Sequence, residues 1–238
     1  MIELRPFQKL GKSNHGWLDA NFHFSFAEYR DPERVHWGAL RVWNNDRIAP
    51  DTGFPPHPHR DMEIVTYVIR GAITHQDHLG NQGRTEAGQI QVMSAGQGIQ
   101  HAEYNREDAE TELFQIWILP NKQGVPARWE TVDFPAEARD GRLLPLASGR
   151  GHEGAIPLHA DGALYAGKLK AGQTIRQRLD GKPAYLVPAK GKIEIRSGSA
   201  APVIAKARDG VAVDKQDEIE ITAVEDAEIV LVETDRLN

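Results

Sequence analysis

Gly53-Phe54-Pro55-Pro56-His57-Pro58-His59-Arg60-Asp61-Met62-Glu63 runs straight into Ile64-Val65-Thr66-Tyr67-Val68-Ile69, and Arg70-Gly71 closes the run. Six β-branched and aromatic residues are too few for a helix and have the composition of a buried strand. The same texture continues outward. Gln89-Ile90-Gln91-Val92-Met93 alternates polar and apolar residues, as a half-buried strand does. Leu113-Phe114-Gln115-Ile116-Trp117-Ile118-Leu119 is a third strand, ended by Pro120. Glycine-bearing turns lie at Leu79–Gly83 and Ala95–Gly98. Further strands are expected at Ala163–Leu169, Pro183–Val187, Lys192–Arg196, Val211–Val213, Glu218–Ile221 and Glu228–Val232. Short strands at close spacing, with no long amphipathic helix, predict an all-β sandwich or barrel.

The two halves echo each other. Tyr67-Val68-Ile69-Arg70-Gly71-Ala72-Ile73-Thr74 and Tyr185-Leu186-Val187-Pro188-Ala189-Lys190-Gly191-Lys192-Ile193-Glu194 both run from an apolar strand through a glycine turn into a second strand. That repetition predicts a duplicated barrel. The expected division is 1–135 and 136–238. Residues 120–154, rich in Pro, Gly and charge, read as the connection, with a short helical turn near Val125–Thr131. The opening segment holds His15, His23 and His36 among Trp17, Phe22, Phe24, Phe26, Trp37 and Trp43; it reads as strands packing one barrel, with no ligand role.

Composition removes several classes of function. The formal net charge of the 238 residues is −6, and no Lys/Arg cluster stands out, which argues against direct nucleic-acid binding. With no cysteine, there is no disulfide framework, thiolate zinc site, iron–sulfur cluster or cysteine nucleophile. No apolar run reaches the length of a membrane span, and Met1-Ile2-Glu3-Leu4-Arg5-Pro6 lacks a secretory apolar core, so the expected location is cytoplasmic. Nucleotide loops of the G-x-x-x-x-G-K-[ST] and G-x-G-x-x-G kinds and the G-x-S-x-G elbow are all missing.

Eight of the ten histidines fall within residues 15–101, so a metal site, if present, belongs to the first half. His57 and His59, at i and i+2, face one side of a strand, roughly 6.5–7 Å apart along it. His101 and Glu103 repeat that spacing. On neighbouring strands the two pairs would offer three imidazoles and a carboxylate. That donor set suits a first-row transition metal and argues against plain Mg²⁺ or Ca²⁺. Asp61 and Glu63 share the parity of His57 and His59 and are rival carboxylates; Glu103 is preferred because it pairs with His101. His75 and His78, with Asp77, read as a solvated hairpin end rather than a second metal site.

These residues carry a family likeness. Gly53–Glu63 resembles the first cupin motif, and its H-P-H-R form resembles the pirin family. Met93-Ser94-Ala95-Gly96-Gln97-Gly98-Ile99-Gln100-His101-Ala102-Glu103 resembles the second pirin motif, M-x-A-G-x-G-x-x-H-x-E. Gly96 stands where other cupins have proline, and the glycine closing the first motif comes one residue later than usual; pirins share both departures. The resemblance implies a bicupin, two antiparallel barrels in tandem, with the metal in the first barrel only. It implies one divalent transition metal, usually Fe²⁺, with Mn, Co, Ni, Cu or Zn as substitutes, held by His57, His59, His101 and Glu103. It also implies either of two activities. One is a dioxygenase that opens flavonols such as quercetin with O₂, releasing carbon monoxide and a depside, with Glu103 as ligand and base and Phe54 at the mouth. The other is a redox-responsive regulator acting through a protein partner. Glu63 and Asp61 are the expected acceptors for the ring N–H groups that the ligating histidines turn away from the metal.

Overall fold

The structure is a computed structural model that describes residues 1–199 and 201–237. Its elements are strands, apart from two single 3₁₀ turns at Phe7–Lys9 and Ala136–Arg139. No helix among the described residues is long and apolar enough to cross a membrane.

Each half is organised around one seven-stranded and one four-stranded sheet, the seven-stranded sheet of the second half taking one strand, Ile2–Arg5, from the first. In the first half the seven-stranded sheet runs, in spatial order, Arg128–Val132, Ile90–Ser94, Glu63–Arg70, Thr111–Ile118, Leu40–Ile48, Leu18–Phe22 and Gly11–Asn14. Its four-stranded partner runs Gly53–His59, Ile99–Tyr104, Ala72–Asp77 and Gln82–Glu86. In the second half the hairpin Ala184–Lys190/Lys192–Arg196 takes the place that Glu63–Arg70/Ala72–Asp77 has in the first. Among the described residues the strands pair antiparallel except for the short parallel match of Leu143–Ser148 with Ile156–Pro157, and one isolated bridge, Asp140 with Lys168, is also parallel. The tandem cupin barrels expected from the repeated strand–turn–strand pattern are therefore present.

The repeat has a physical basis at its two turns. Gly71 and Gly191 both adopt positive φ, +77° and +78°. A Cβ on Gly71 would meet Thr111 Oγ1 at 2.5 Å, and one on Gly191 would meet the Asp226 carbonyl oxygen at 2.1 Å. Only glycine takes that backbone conformation without strain in so little space. Gly96 is a related case: its φ of +43° is closed to proline, whose ring holds φ near −65°.

The connection differs from its sequence reading. Instead of a helical turn at Val125–Thr131 there is an edge strand, Arg128–Val132, paired with Ile90–Ser94. The helical turn falls later, at Ala136–Arg139. Edge pairing on Ile90–Ser94 decides the matter, because it satisfies backbone groups that the local sequence leaves open.

The two barrels share an apolar core. One continuous cluster joins Phe24, Trp43 and Phe114 of the first half to Tyr185, Val187 and Val230 of the second. Tyr185 packs on Phe24 and Trp43 with ring centroids 5.0 and 5.7 Å away. Its hydroxyl meets Nδ1 of buried His23 at 2.9 Å. A second buried joint ties Tyr67 to Glu228, with Arg139 donating to the Tyr67 hydroxyl at 2.9 Å. The first strand, Ile2–Arg5, pairs with Gly210–Val213 and so completes the sheet of the second half.

Candidate metal centre

Gly53–His59 lies at the edge of its sheet and pairs only with Ile99–Tyr104. An edge tolerates Pro55, Pro56 and Pro58, which have no N–H to give a second neighbour. The register sets His101 opposite His57 and Ile99 opposite His59. Strand parity then turns His57, His59 and His101 to one face. Their ring nitrogens come within 4.8 Å of one another, and the ring centroids are 4.4–5.1 Å apart.

The protonation pattern leaves lone pairs pointing inward. His57 donates its Nδ1–H to the Pro55 carbonyl at 2.8 Å, which leaves Nε2 as the nitrogen available to a metal. His101 Nε2 is buried and has no hydrogen-bond partner. Burial, followed by the neighbouring rings of His101 and His57, pushes His59 down to about 4. Burial, then His57 and His75, pushes His101 down to about 3. Both are neutral near pH 7. A buried, unpartnered ring nitrogen among neutral imidazoles is the chemistry of a metal-binding set.

Glu103 is buried beside this set. Gln91 Nε2 donates to its Oε1 at 2.5 Å and Gln115 Nε2 to its Oε2 at 2.9 Å. Thr66 Oγ1 donates to Gln115 Oε1 at 2.9 Å and steadies that amide. One carboxylate oxygen lies within 4.8 Å of ring nitrogens of both His101 and His75. Each oxygen has a second lone pair beyond the amide it accepts from.

The imidazoles open onto a cavity of about 410 Å³, within the range of small-molecule sites. Trp17, Phe22, Phe26, Phe54, Ile64 and Trp117 give it apolar walls. Trp17 meets Phe54 edge-on at 5.2 Å, and Phe26 meets Trp117 at 5.4 Å. Asn44, Asp46 and Gln115 add polar groups to its lining. Burial, helped by the charges of Glu103 and Asp19, pushes the Asp46 carboxyl up to about 8.

Three sequence expectations change. His75 is no solvated hairpin residue: it is fully buried, stacked on Trp129 at 4.8 Å and 8° between planes, and its Nδ1 lies 3.3 Å from His101 Nδ1. Its Nε2 lies 3.0 Å from Asp77 Oδ2. Burial alone would raise the Asp77 carboxyl, but hydrogen bonds from His75 and Asn81 hold it below its ordinary value. Exposed His78 does fit the hairpin reading. Glu63 and Asp61 are not the acceptors for the imidazoles: Glu63 accepts from Ser94 Oγ and the His159 N–H, and Asp61 from the Gly124 N–H. His15 lines the cavity beside Ser13 rather than the core. A signal for His75 was present in the sequence, since His75-Gln76-Asp77 has the same i, i+2 spacing as the two metal-type pairs.

Three imidazoles, an adjacent carboxylate and an unpartnered buried nitrogen fit a divalent transition metal. The sequence profile of the Pirin family matches residues 3–118, and that of the Quercetinase C-terminal cupin domain matches residues 145–234. The chain is 53% identical to a pirin-like protein of Caulobacter vibrioides, over 98% of this chain and 99% of that one. It is 41% identical to the quercetin 2,3-dioxygenase of Escherichia coli K12, over 97% of each. Among solved structures, Escherichia coli YhhW superposes with a TM-score of 0.93 at 37% identity, covering 100% of this chain and 99% of that one. The nickel(II) complex of bacterial pirin YhhW gives 0.91 at 36% identity, with 100% of both chains covered.

Proposed function

The chain belongs to the pirin family, and from that premise we propose that it is a metal-dependent dioxygenase opening the ring of flavonols such as quercetin with O₂. The convergence of His57, His59 and His101 on an aromatic-walled cavity carries this reading. In it the three imidazoles and Glu103 hold one divalent ion, Fe²⁺ by preference, in a cytoplasmic enzyme. When bound, the ion acts as a Lewis acid toward the substrate's 3-hydroxyl and supports the reaction with O₂.

The protein residues do the rest. Trp17, Phe54 and Trp117 admit a flat aromatic guest and keep bulk water out. Glu103 accepts the proton of the 3-hydroxyl, and Gln91 and Gln115 keep its carboxylate aimed while it does so. Asp46, protonated near pH 7, donates a hydrogen bond to a ring hydroxyl. The overall change takes one flavonol and one O₂ to one depside and one carbon monoxide.

The test is incubation of iron-loaded protein with quercetin, aerobically and anaerobically. Loss of the flavonol absorbance band only when O₂ is present is the expected result, and His101→Ala should abolish both that loss and metal retention. Failure to turn over quercetin with any of iron, manganese, cobalt, nickel or copper removes the proposal.

A further inference from the structure

We infer that Asp77 and His75 are positioning residues that fix His101 as its Nδ1–H tautomer and so aim the Nε2 lone pair into the three-imidazole set. The inference rests on the proposed metal centre for its purpose, though its geometry stands alone. Asp77 is an acceptor on every side. Oδ1 takes the N–H groups of Leu79 at 2.9 Å and Asn81 at 3.0 Å, while Oδ2 takes Asn81 Nδ2 at 2.8 Å and faces His75 Nε2 at 3.0 Å. A carboxylate so bonded has no proton to give, so His75 Nε2 must donate. His101 Nε2 faces no acceptor, so a hydrogen there would be buried and unpaired, and His75 Nδ1 is the acceptor at its contact with His101. The group it faces is His101 Nδ1, at 3.3 Å, which must therefore carry its hydrogen. His101 Nε2 is left bare, and it is indeed buried without a hydrogen-bond partner.

The relay is held from both sheets. Trp129, on Arg128–Val132 of the seven-stranded sheet, stacks flat on the His75 ring. Gly83, on Gln82–Glu86 of the four-stranded sheet, makes room for that indole: a Cβ there would sit 2.2 Å from Trp129 Cη2. The side chains of His75 and Asp77 both have zero exposure, so water cannot supply a competing donor. Metal-binding histidines usually give their second N–H directly to a carboxylate or carbonyl. Here an imidazole stands between the two and transmits the polarity.

Asp77→Asn is the decisive variant. Its Oδ1 must still face the Leu79 and Asn81 N–H groups, so its new NH₂ faces both His75 Nε2 and the Asn81 side chain, whose amide turns over to accept through its Oδ1. That reverses the relay: His75 becomes the Nδ1–H tautomer, donates to His101 Nδ1, and leaves the proton of His101 on Nε2. Long-range ¹⁵N NMR of the histidine rings in metal-free protein reads this directly. The expected result is a bare His101 Nε2 in the parent and a protonated one in Asp77→Asn. Nickel(II) affinity, measured by chelator competition, should fall about 10–100-fold in the variant. His75→Phe keeps the stack on Trp129 but removes the relay, and it should weaken nickel binding even if Asp77→Asn fails to fold. A parent protein with His101 protonated at Nε2, parent-like nickel affinity in both variants, or two nickel ions per chain would each overturn the inference. Absence of quercetin turnover would remove the dioxygenase proposal and leave the tautomer result standing.

Discussion

Asp46 carries the clearest pH signature in the cavity. Its carboxyl sits near 3.8 when unperturbed and is pushed up to about 8 when buried beside Glu103 and Asp19. The folded protein therefore keeps a proton that the unfolded chain releases. That contribution to stability is complete below about pH 4 and is lost as pH rises through about 8. Asp46→Asn keeps the shape without the ionisation. In metal-free protein its advantage over the parent should grow by about 1.4 kcal/mol per pH unit from pH 5 to pH 8, about 4 kcal/mol in all, and level off by pH 9, a gain of roughly 8–16 °C in melting temperature. A constant difference across that range by thermal melting would contradict the assignment. Sequence reading was strongest at this scale where strand parity applied: His57, His59 and His101 do converge because residues two apart share a face. It failed at His75, whose burial depends on an indole from a strand more than fifty residues away, across the two sheets. Asp46 carried no local signal, since its environment is assembled by Leu18–Phe22, Leu40–Ile48 and Thr111–Ile118 together.

The element scale is governed by the two equivalent hairpins. Alanine in the left-handed region costs about 1–3 kcal/mol before any clash is counted. At Gly71 the nearest obstacle is the Thr111 hydroxyl, part of a side chain that can turn at the loss of its bond to the Ala72 carbonyl. At Gly191 the obstacle is the Asp226 backbone oxygen, which cannot move alone. Urea unfolding should rank Gly191→Ala as the more destabilising change, and equal midpoints would mean that the second turn relaxes freely. The β-branched runs announced their strands because both faces are buried, as in Glu63–Arg70. Arg128–Val132 is half-exposed along its whole length, so no alternation marks it, and its proline-rich surroundings pass for a linker.

For the whole molecule, the division we propose, 1–135 and 136–238, describes two repeats rather than two independent bodies. Ile2 and Leu4 pack on the core of the second half. Arg5 is buried with its guanidinium over the rings of Phe24, Trp37 and Tyr185. Deleting residues 1–5 should cost about 2–5 kcal/mol and bare the edge of Gly210–Val213 for pairing with another chain. Thermal melting and size-exclusion chromatography would show a lowered transition and larger assemblies than the parent forms; an unchanged transition and elution volume would contradict this account.

The exchanged first strand also bears on synthesis. Ile2–Arg5 leaves the ribosome roughly 200 residues ahead of the segment that receives it. During that interval the nascent chain carries an idle tetrapeptide with two apolar side chains, Ile2 and Leu4, and only translation through Val213 gives it a seat. Residues made early are thus among the last to be locked, and a premature stop ahead of Gly210 would leave them unpaired, a local mark by which quality control could tell a truncated product from a folded one.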